Sequence, residues 1–303
     1  MNQIKSKYLL VYSFAKLIRI ENLLLMALVI YVSHNYIFRK EAVALSPLVL
    51  LILILSTISI AAGGYVINDY FDLKIDKINK PNEIILEKFI HRKAGIIWHL
   101  IFSILGLLGG LFLAYTCRHW SLVIIQIISI ALLLVYSNFL KKIFILGNLT
   151  IAILSGFLPL LPYIYLNSLY PQISLLTTNA LVSLSAFAFF TTIIRELIKD
   201  IQDVKGDSIG GRKTIPVVWG VLPSRIIVFF LLLLLIILLL PFMVYYYINN
   251  QYDAVLYHLF LLILPSIILM ILVIKISIPE KYKLLSAIMK LIMLSGIIFY
   301  TIF

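Results

Sequence analysis

Two short acidic runs stand out in a chain that has only 13 Asp and Glu among its 303 residues. The first is Asp69-Tyr70-Phe71-Asp72-Leu73-Lys74-Ile75-Asp76, and the second is Asp200-Ile201-Gln202-Asp203-Val204-Lys205-Gly206-Asp207. Both read D-x-x-D-x-K-x-D. On a helix of 3.6 residues per turn, positions i, i+3 and i+7 fall within about 60° of one another. Carboxylates gathered on one face repel, and near a membrane the cost rises, so the arrangement calls for cations among them. Oxygen ligands from one or two carboxylates per helix, completed by water and phosphate oxygens, suit Mg²⁺. Solvated loop charges answering nearby lysines are the alternative for either run alone. Two copies with matching spacing favour the metal-binding role.

The elements that must position these runs are apolar. Hydrophobic residues make up 63% of the chain and charged residues 13%, with a mean hydropathy of +1.10. Soluble domains have about 45–50% apolar and about 25% charged residues, so a water-exposed fold is excluded, and continuous apolar runs that do not alternate with polar residues argue against a barrel. The expected fold is all-α and polytopic, a single membrane domain over 1–303. Its nine spans run roughly over 13–37, 45–70, 93–115, 120–139, 145–167, 174–199, 216–247, 253–276 and 284–302, since a crossing helix needs about 20 apolar residues. Arg39-Lys40, Arg118-His119, Lys141-Lys142, Asn249-Asn250-Gln251 and Pro279-Glu280 mark breaks between spans.

With this threading, 22 of the 25 Lys and Arg fall on one side, leaving Arg39, Lys40 and Arg118 on the other. That asymmetry predicts a cytoplasmic N-terminus, cytoplasmic loops 71–92 and 200–215 carrying the acidic runs, and a C-terminus on the opposite side of a cell (inner) membrane. It also accounts for the net charge of +12 without nucleic acid. Each acidic run closes an even-numbered span, which suggests two pseudo-repeated halves facing each other. Before the first span, Leu10, Phe14, Leu17 and Ile18 form the apolar face of an interfacial lead-in. The one cysteine, Cys117, reads as a small apolar residue, and the five histidines show no metal-ligand spacing. Gly63-Gly64 fits close helix packing, and Pro159 and Pro162 a kink in the fifth span.

Several stretches together resemble the UbiA-type intramembrane prenyltransferases. Gly64-Tyr65-Val66-Ile67-Asn68-Asp69-Tyr70-Phe71-Asp72 through Asp76, then Ile78-Asn79-Lys80-Pro81, is similar to the family's first signature. Lys199-Asp200-Ile201-Gln202-Asp203 through Asp207, with Gly211-Arg212-Lys213-Thr214-Ile215-Pro216 and Gly220, is similar to the second. Arg19-Ile20-Glu21-Asn22 resembles the first-helix signature, and Tyr136-Ser137, Lys141-Lys142 and Gly147-Asn148 the junction of the fourth and fifth helices.

The resemblance implies Mg²⁺-dependent transfer of a polyprenyl group from its diphosphate to a lipophilic or amphiphilic acceptor in the bilayer. Asp72, Asp203 and Lys141 would carry the chemistry. Asp72 and Asp76 would serve one metal, with Asn68 as a neutral oxygen ligand, and Asp200 and Asp203 the other, with Asp69 and Asp207 close by. Arg19, Asn22, Asn68, Tyr136, Lys141, Arg195 and Lys199 would face the diphosphate, and Tyr65, Tyr136 and Phe190 would wall the allyl cation. Arg19, Lys141 and Lys142 serve equally as positive-inside anchors, and the aromatics as packing residues. Family members acting on quinone precursors or chlorophyllide continue from Asn-Arg-Pro into a Gly-Ser-like loop. This chain reads Asn79-Lys80-Pro81-Asn82-Glu83-Ile84-Ile85-Leu86, which is similar to members that prenylate a glycerol-phosphate ether lipid precursor, with geranylgeranyl as the donor group. An aromatic or quinone-type acceptor is the alternative within the family, and a divalent-cation or anion transporter the alternative from another class. A soluble aspartate-rich prenyl synthase fails on the nine spans.

Overall fold

The computed structural model of the chain describes residues 2–38, 41, 44–167, 174–276 and 278–303, the side chains of 2–8 and 280 excepted. Arg39 and Lys40, the break expected between the first two spans, lie outside the described residues. Among those described there are helices and turns and no named strand. Among the described residues nine helical segments are long and apolar enough to cross a bilayer, so the chain is a multi-pass membrane protein. It divides into two compact units, Met1–Lys141 with Leu161–Ser174, and Lys142–Leu160 with Leu175–Phe303.

The first unit contains α1 (Asn2–Leu17), α2 (Ile20–Val32, continuing as a π-helical segment, Ser33–Ile37), α3 (Pro47–Asn79), α4 (Arg92–Thr116) and α5 (Val123–Asn138). The second contains α6 (Leu146–Phe157), while α7 (Leu161–Asn167) returns to the first. A 3-10 turn at Leu158–Leu160 separates α6 from α7, at the proline interruption expected in the fifth span. The second unit continues with α8 (Leu175–Ile209), α9 (Ile215–Val218), α10 (Val221–Ile248), α11 (Tyr252–Tyr257), α12 (Leu264–Lys275) and α13 (Tyr282–Ile302).

Two helices are longer than a bilayer crossing requires. α3 has 33 residues and α8 has 35, about 50 Å at 1.5 Å per residue, against a hydrocarbon core of about 30 Å. Their uncharged portions, 47–67 and 175–194, are by themselves long enough for a crossing, and the acidic runs lie on the overrun beyond those portions. The runs are therefore helical, and the loops expected at 71–92 and 200–215 begin only after Asn79 and Ile209. Helical hydrogen bonding continues because neither run contains proline, and Pro81 and Gly210-Gly211 are the first breakers that follow.

α3 starts at Ser46, whose hydroxyl accepts the Val49 N–H at 3.4 Å, with Pro47 in the first turn, the usual N-terminal signals. It packs on α4 through small residues. A Cβ on Gly63 would lie 3.2 Å from the His99 carbonyl, and one on Gly106 would lie 2.3 Å from Ile60. Ser56 Oγ also donates to the Gly106 carbonyl at 2.7 Å. The first span begins at Ile20 rather than 13, because Arg19 adopts a left-handed conformation (φ 52°) that separates α1 from α2. Of the expected apolar face of α1, Leu17 is fully buried and Phe14 packs on Trp98 at 4.7 Å between centroids, whereas Leu10 is exposed. In the second unit, Ile194, Leu197, Ile198 and Ile201 of α8 form a core with Val228 and Leu232 of α10, Leu269 of α12 and Met289 of α13.

Candidate functional site

In the first unit the acidic face of α3 meets two cations brought from distant parts of the chain. The break at Arg19 turns its side chain onto α3. There Nη2 bonds Asp69 Oδ1 at 2.8 Å, and the guanidinium lies 4.9 Å from the centre of the Tyr65 ring. A left-handed non-glycine residue is strained, and here the strain accompanies a long-range ion pair. The second cation is Lys141, in the 3-10 turn Leu140–Lys142. Its Nζ lies 2.5 Å from Asp72 Oδ1 and 3.0 Å from Asn68 Oδ1, while Asn68 Nδ2 donates to Asp72 Oδ2 at 3.0 Å. Lys141 is 8% and Asp72 7% exposed, so this is a desolvated triangle of ammonium, amide and carboxylate. Adjacent Lys142 is exposed. Either lysine fits a positive-inside anchor and the family resemblance points to Lys141; the structure buries Lys141 and leaves Lys142 exposed.

Asp76 lies one turn beyond Asp72 and is half-buried. Among the described residues no side-chain hydrogen bond or ion pair engages it. Asn22 is half-buried in the first turn of α2, its N–H bonded to the Arg19 carbonyl at 2.8 Å, and Tyr136 is half-buried at the end of α5. The segment after α3 folds back on the core. Leu86 and Ile85 pack with Leu17, Val66 and Leu73, and Lys77 Nζ bonds Glu87 Oε2 at 2.7 Å. That hydrogen bond holds the exposed Glu87 carboxyl below its ordinary pKa.

In the second unit the carboxylates of α8 have different partners. Asp200 Oδ2 accepts from Asn148 Nδ2 at 2.7 Å. Asn148 reaches it from the first turn of α6, whose start is set by Ile145 at φ 63°, a conformation rare for a β-branched residue. Asp207 is 1% exposed, and its Oδ1 receives Arg212 Nη1 at 3.0 Å. The same two residues are joined through the backbone, Arg212 N–H to the Asp207 carbonyl at 2.9 Å, in a reversal made by Gly211 at φ 70°. Asp203, between them on the helix, is half-buried. Immediately before Asp200, Lys199 Nζ bonds both oxygens of Glu196, one turn earlier on the helix, at 2.8 and 2.9 Å, and Arg195 Nη1 stands 3.7 Å from Glu196 Oε1. Phe190 packs against the core of this unit.

Sequence reasoning therefore missed Glu196, Asn148 and Arg212 as partners. Glu196 carried a usable signal, an acid between Arg195 and Lys199 immediately after an uncharged span; the other two depend on folding. Among the described residues no three His, Cys, Asp or Glu side chains form a self-sufficient metal cage. Mg²⁺ does not require one, because it takes one or two carboxylates and completes its shell with water and phosphate. The donor set fits such an ion, being hard oxygens, and Asp72 Oδ1 with Asn68 Oδ1 already seats a cation in the form of the Lys141 ammonium.

A digeranylgeranylglyceryl phosphate synthase from Thermococcus kodakarensis is 34% identical over 159 residues, 52% of this chain and 52% of that protein. The matched stretch thus spans about half the length of that relative. A solved structure described as concerning digeranylgeranylglyceryl phosphate synthase in membranes aligns with a TM-score of 0.63 at 25% identity, over 97% of this chain and 99% of that one. A UbiA homologue from Archaeoglobus fulgidus bound to DMAPP and Mg²⁺ shares the fold, with a TM-score of 0.58 at 14% identity over 96% of this chain and 100% of the other. The pattern of the UbiA prenyltransferase family matches residues 24–294, and the chain belongs to that family.

Proposed function

We propose that this protein transfers a polyprenyl group from its diphosphate to a phosphate-bearing glycerol ether lipid in the membrane, in the presence of Mg²⁺. The observation that carries the reading is the pair of acidic helix overruns with the cation-seating triangle of Asn68, Asp72 and Lys141. The relatives' names support the choice of acceptor over an aromatic or quinone one, and the sequence after α3 agrees with it. The acidic residues follow the uncharged portions of α3 and α8 rather than interrupting them, which favours a site open to water-soluble diphosphate over a mid-membrane transport site.

Asp72 and Asp76 with Asn68 would hold one Mg²⁺, and Asp200 and Asp203 the other. Bound there, the metals would supply the positive charge that makes diphosphate a good leaving group. Lys141 orients the Asp72 carboxylate and offers an ammonium for diphosphate oxygens. Asn148 orients Asp200. Arg195 and Lys199 are held by Glu196, so a diphosphate would have to share them with that carboxylate. Asp207 is assigned to the turn after α8, through Arg212. The apolar helix faces exclude water from the reacting carbon. The N-terminus and the acidic overruns are assigned to the cytoplasmic side and the C-terminus to the other; a cytoplasm-dependent reporter after Phe303 should be silent.

The test is incubation of membranes holding the full chain with geranylgeranyl diphosphate, Mg²⁺ and a panel of acceptors, followed by mass analysis of the lipid product. Geranylgeranylglyceryl phosphate should be consumed in preference to aromatic acids and quinone precursors. A product from the aromatic acceptors alone would overturn the assignment.

A further inference from the structure

Arg118 stands where the backbone asks for glycine. α4 ends in a reversal in which the Arg118 N–H bonds the Tyr115 carbonyl at 3.2 Å and the His119 N–H bonds the Ala114 carbonyl at 3.0 Å. This is the arrangement that places a left-handed residue, usually glycine, just past a helix end, and Arg118 adopts it with φ 54°. A cation meant only to complement the helix dipole would do so from the last turn, without a left-handed backbone. What the side chain contacts must therefore account for its presence here.

Among the described residues no hydrogen bond or ion pair engages the Arg118 side chain. It lines a hollow of about 440 Å³ with Tyr115, Thr116 and Trp120. The Thr116 hydroxyl is committed to the Phe112 carbonyl at 2.9 Å. The donors left are the guanidinium, the Trp120 indole N–H and the Tyr115 hydroxyl, with no acid among them. Such a set suits an anion with several oxygens. The hollow lies between the ends of two consecutive crossing helices, Arg92–Thr116 and Trp120–Lys142, where aromatic residues mark the headgroup level. It is at the opposite end of α4 from the loop that follows the acidic run of α3. From it, exposed Leu108, Phe112, Ile124 and Ile128 run along α4 and α5, an apolar track for a hydrocarbon tail.

We infer that this hollow is a binding site for a glycerophospholipid, with its phosphate on Arg118, its headgroup against Trp120 and Tyr115, and a chain along α4 and α5. The site is distinct from the acidic overruns and does not depend on the proposed transfer reaction.

The test uses the full chain reconstituted with phosphatidylglycerol and phosphatidylcholine, gently extracted, and weighed by native mass spectrometry for retained lipid. Phosphatidylglycerol should remain on the wild-type chain, and Arg118→Gln should lower its occupancy about tenfold, the loss of one charge-assisted contact. Arg118→Gly should lose the lipid equally while melting no lower than wild type, since glycine relaxes the left-handed turn; this separates lost binding from lost folding. Excess inorganic phosphate should leave the lipid in place. Equal retention by all three chains, or displacement of the lipid by inorganic phosphate, would overturn the inference.

Discussion

The acidic ends of α3 and α8 share one spacing of carboxylates and neutralise them by different means. On α3 the first two carboxylates are taken by full cations, Arg19 on Asp69 and Lys141 on Asp72, and the third, Asp76, is left open. On α8 the first takes a neutral amide, Asn148, and the third is locked to Arg212 in a buried pair. Identical spacing aligns the side chains on one helix face, but what each carboxylate does depends on the partner that folding brings to it. A buried carboxylate tied to its own guanidinium through both side chain and backbone is a structural tie; one that shares its cation or amide with a neighbouring oxygen offers a seat that a metal can take.

The largest effect should come from the middle carboxylate of either run. Asp72→Ala and Asp203→Ala should each lower Mg²⁺-dependent diphosphate release by on the order of a thousandfold, the equivalent of several kcal/mol of charge stabilisation, with membrane insertion intact. Turnover of a labelled prenyl diphosphate by both variants would sink the metal assignment on both helices.

Lys141→Met sharpens the contrast between the two runs. It leaves Asp72 buried without its counter-charge and should cost about 3–5 kcal/mol of stability, read as a fall in the thermal unfolding midpoint in detergent. Asp72→Leu added to it should recover most of the loss. No equivalent coupling should exist between Asp200 and Asn148, where the partner is neutral.

The third positions should behave oppositely. Asp207→Asn breaks the Arg212 pair and should lower stability by about 2–3 kcal/mol with little change in the Mg²⁺ concentration needed for half-maximal turnover. Asp76→Asn removes an unpaired charge and should leave stability nearly unchanged while raising that Mg²⁺ concentration about tenfold. The same response in both variants would erase the distinction.

The smallest effect is at the segment after α3. Glu87 has a lowered pKa because of its hydrogen bond to Lys77, so the contribution of this contact is present above the ordinary Glu value and disappears as pH falls through the lower, folded one. Amide protection over residues 80–91, corrected for intrinsic exchange, should fall as pH drops below the ordinary Glu value, and Glu87→Gln should remove that dependence. A pH response that persists in Glu87→Gln would assign it to another group.

Much of this was legible beforehand for local reasons. Hydropathy marks nine apolar segments because each crossing helix must satisfy its backbone internally and face lipid or other helices. Spacing of i, i+3 and i+7 aligns three carboxylates wherever the chain is helical, with no help from the rest of the fold. Less legible was where the helices stop: the acidic runs, assigned to loops, lie on the last turns of α3 and α8, since charge alone does not end a helix and neither run contains proline.

The sequence by itself determined the fold class, the two acidic faces and the hard-oxygen chemistry they favour, because these follow from residue type and periodicity along one helix. The tertiary structure alone decided which cations and amides reach those faces. Lys141 lies 73 residues from Asn68, and Asn148 lies 52 from Asp200. Helix packing sets such distances, and no local pattern distinguishes Lys141 from the exposed lysine beside it.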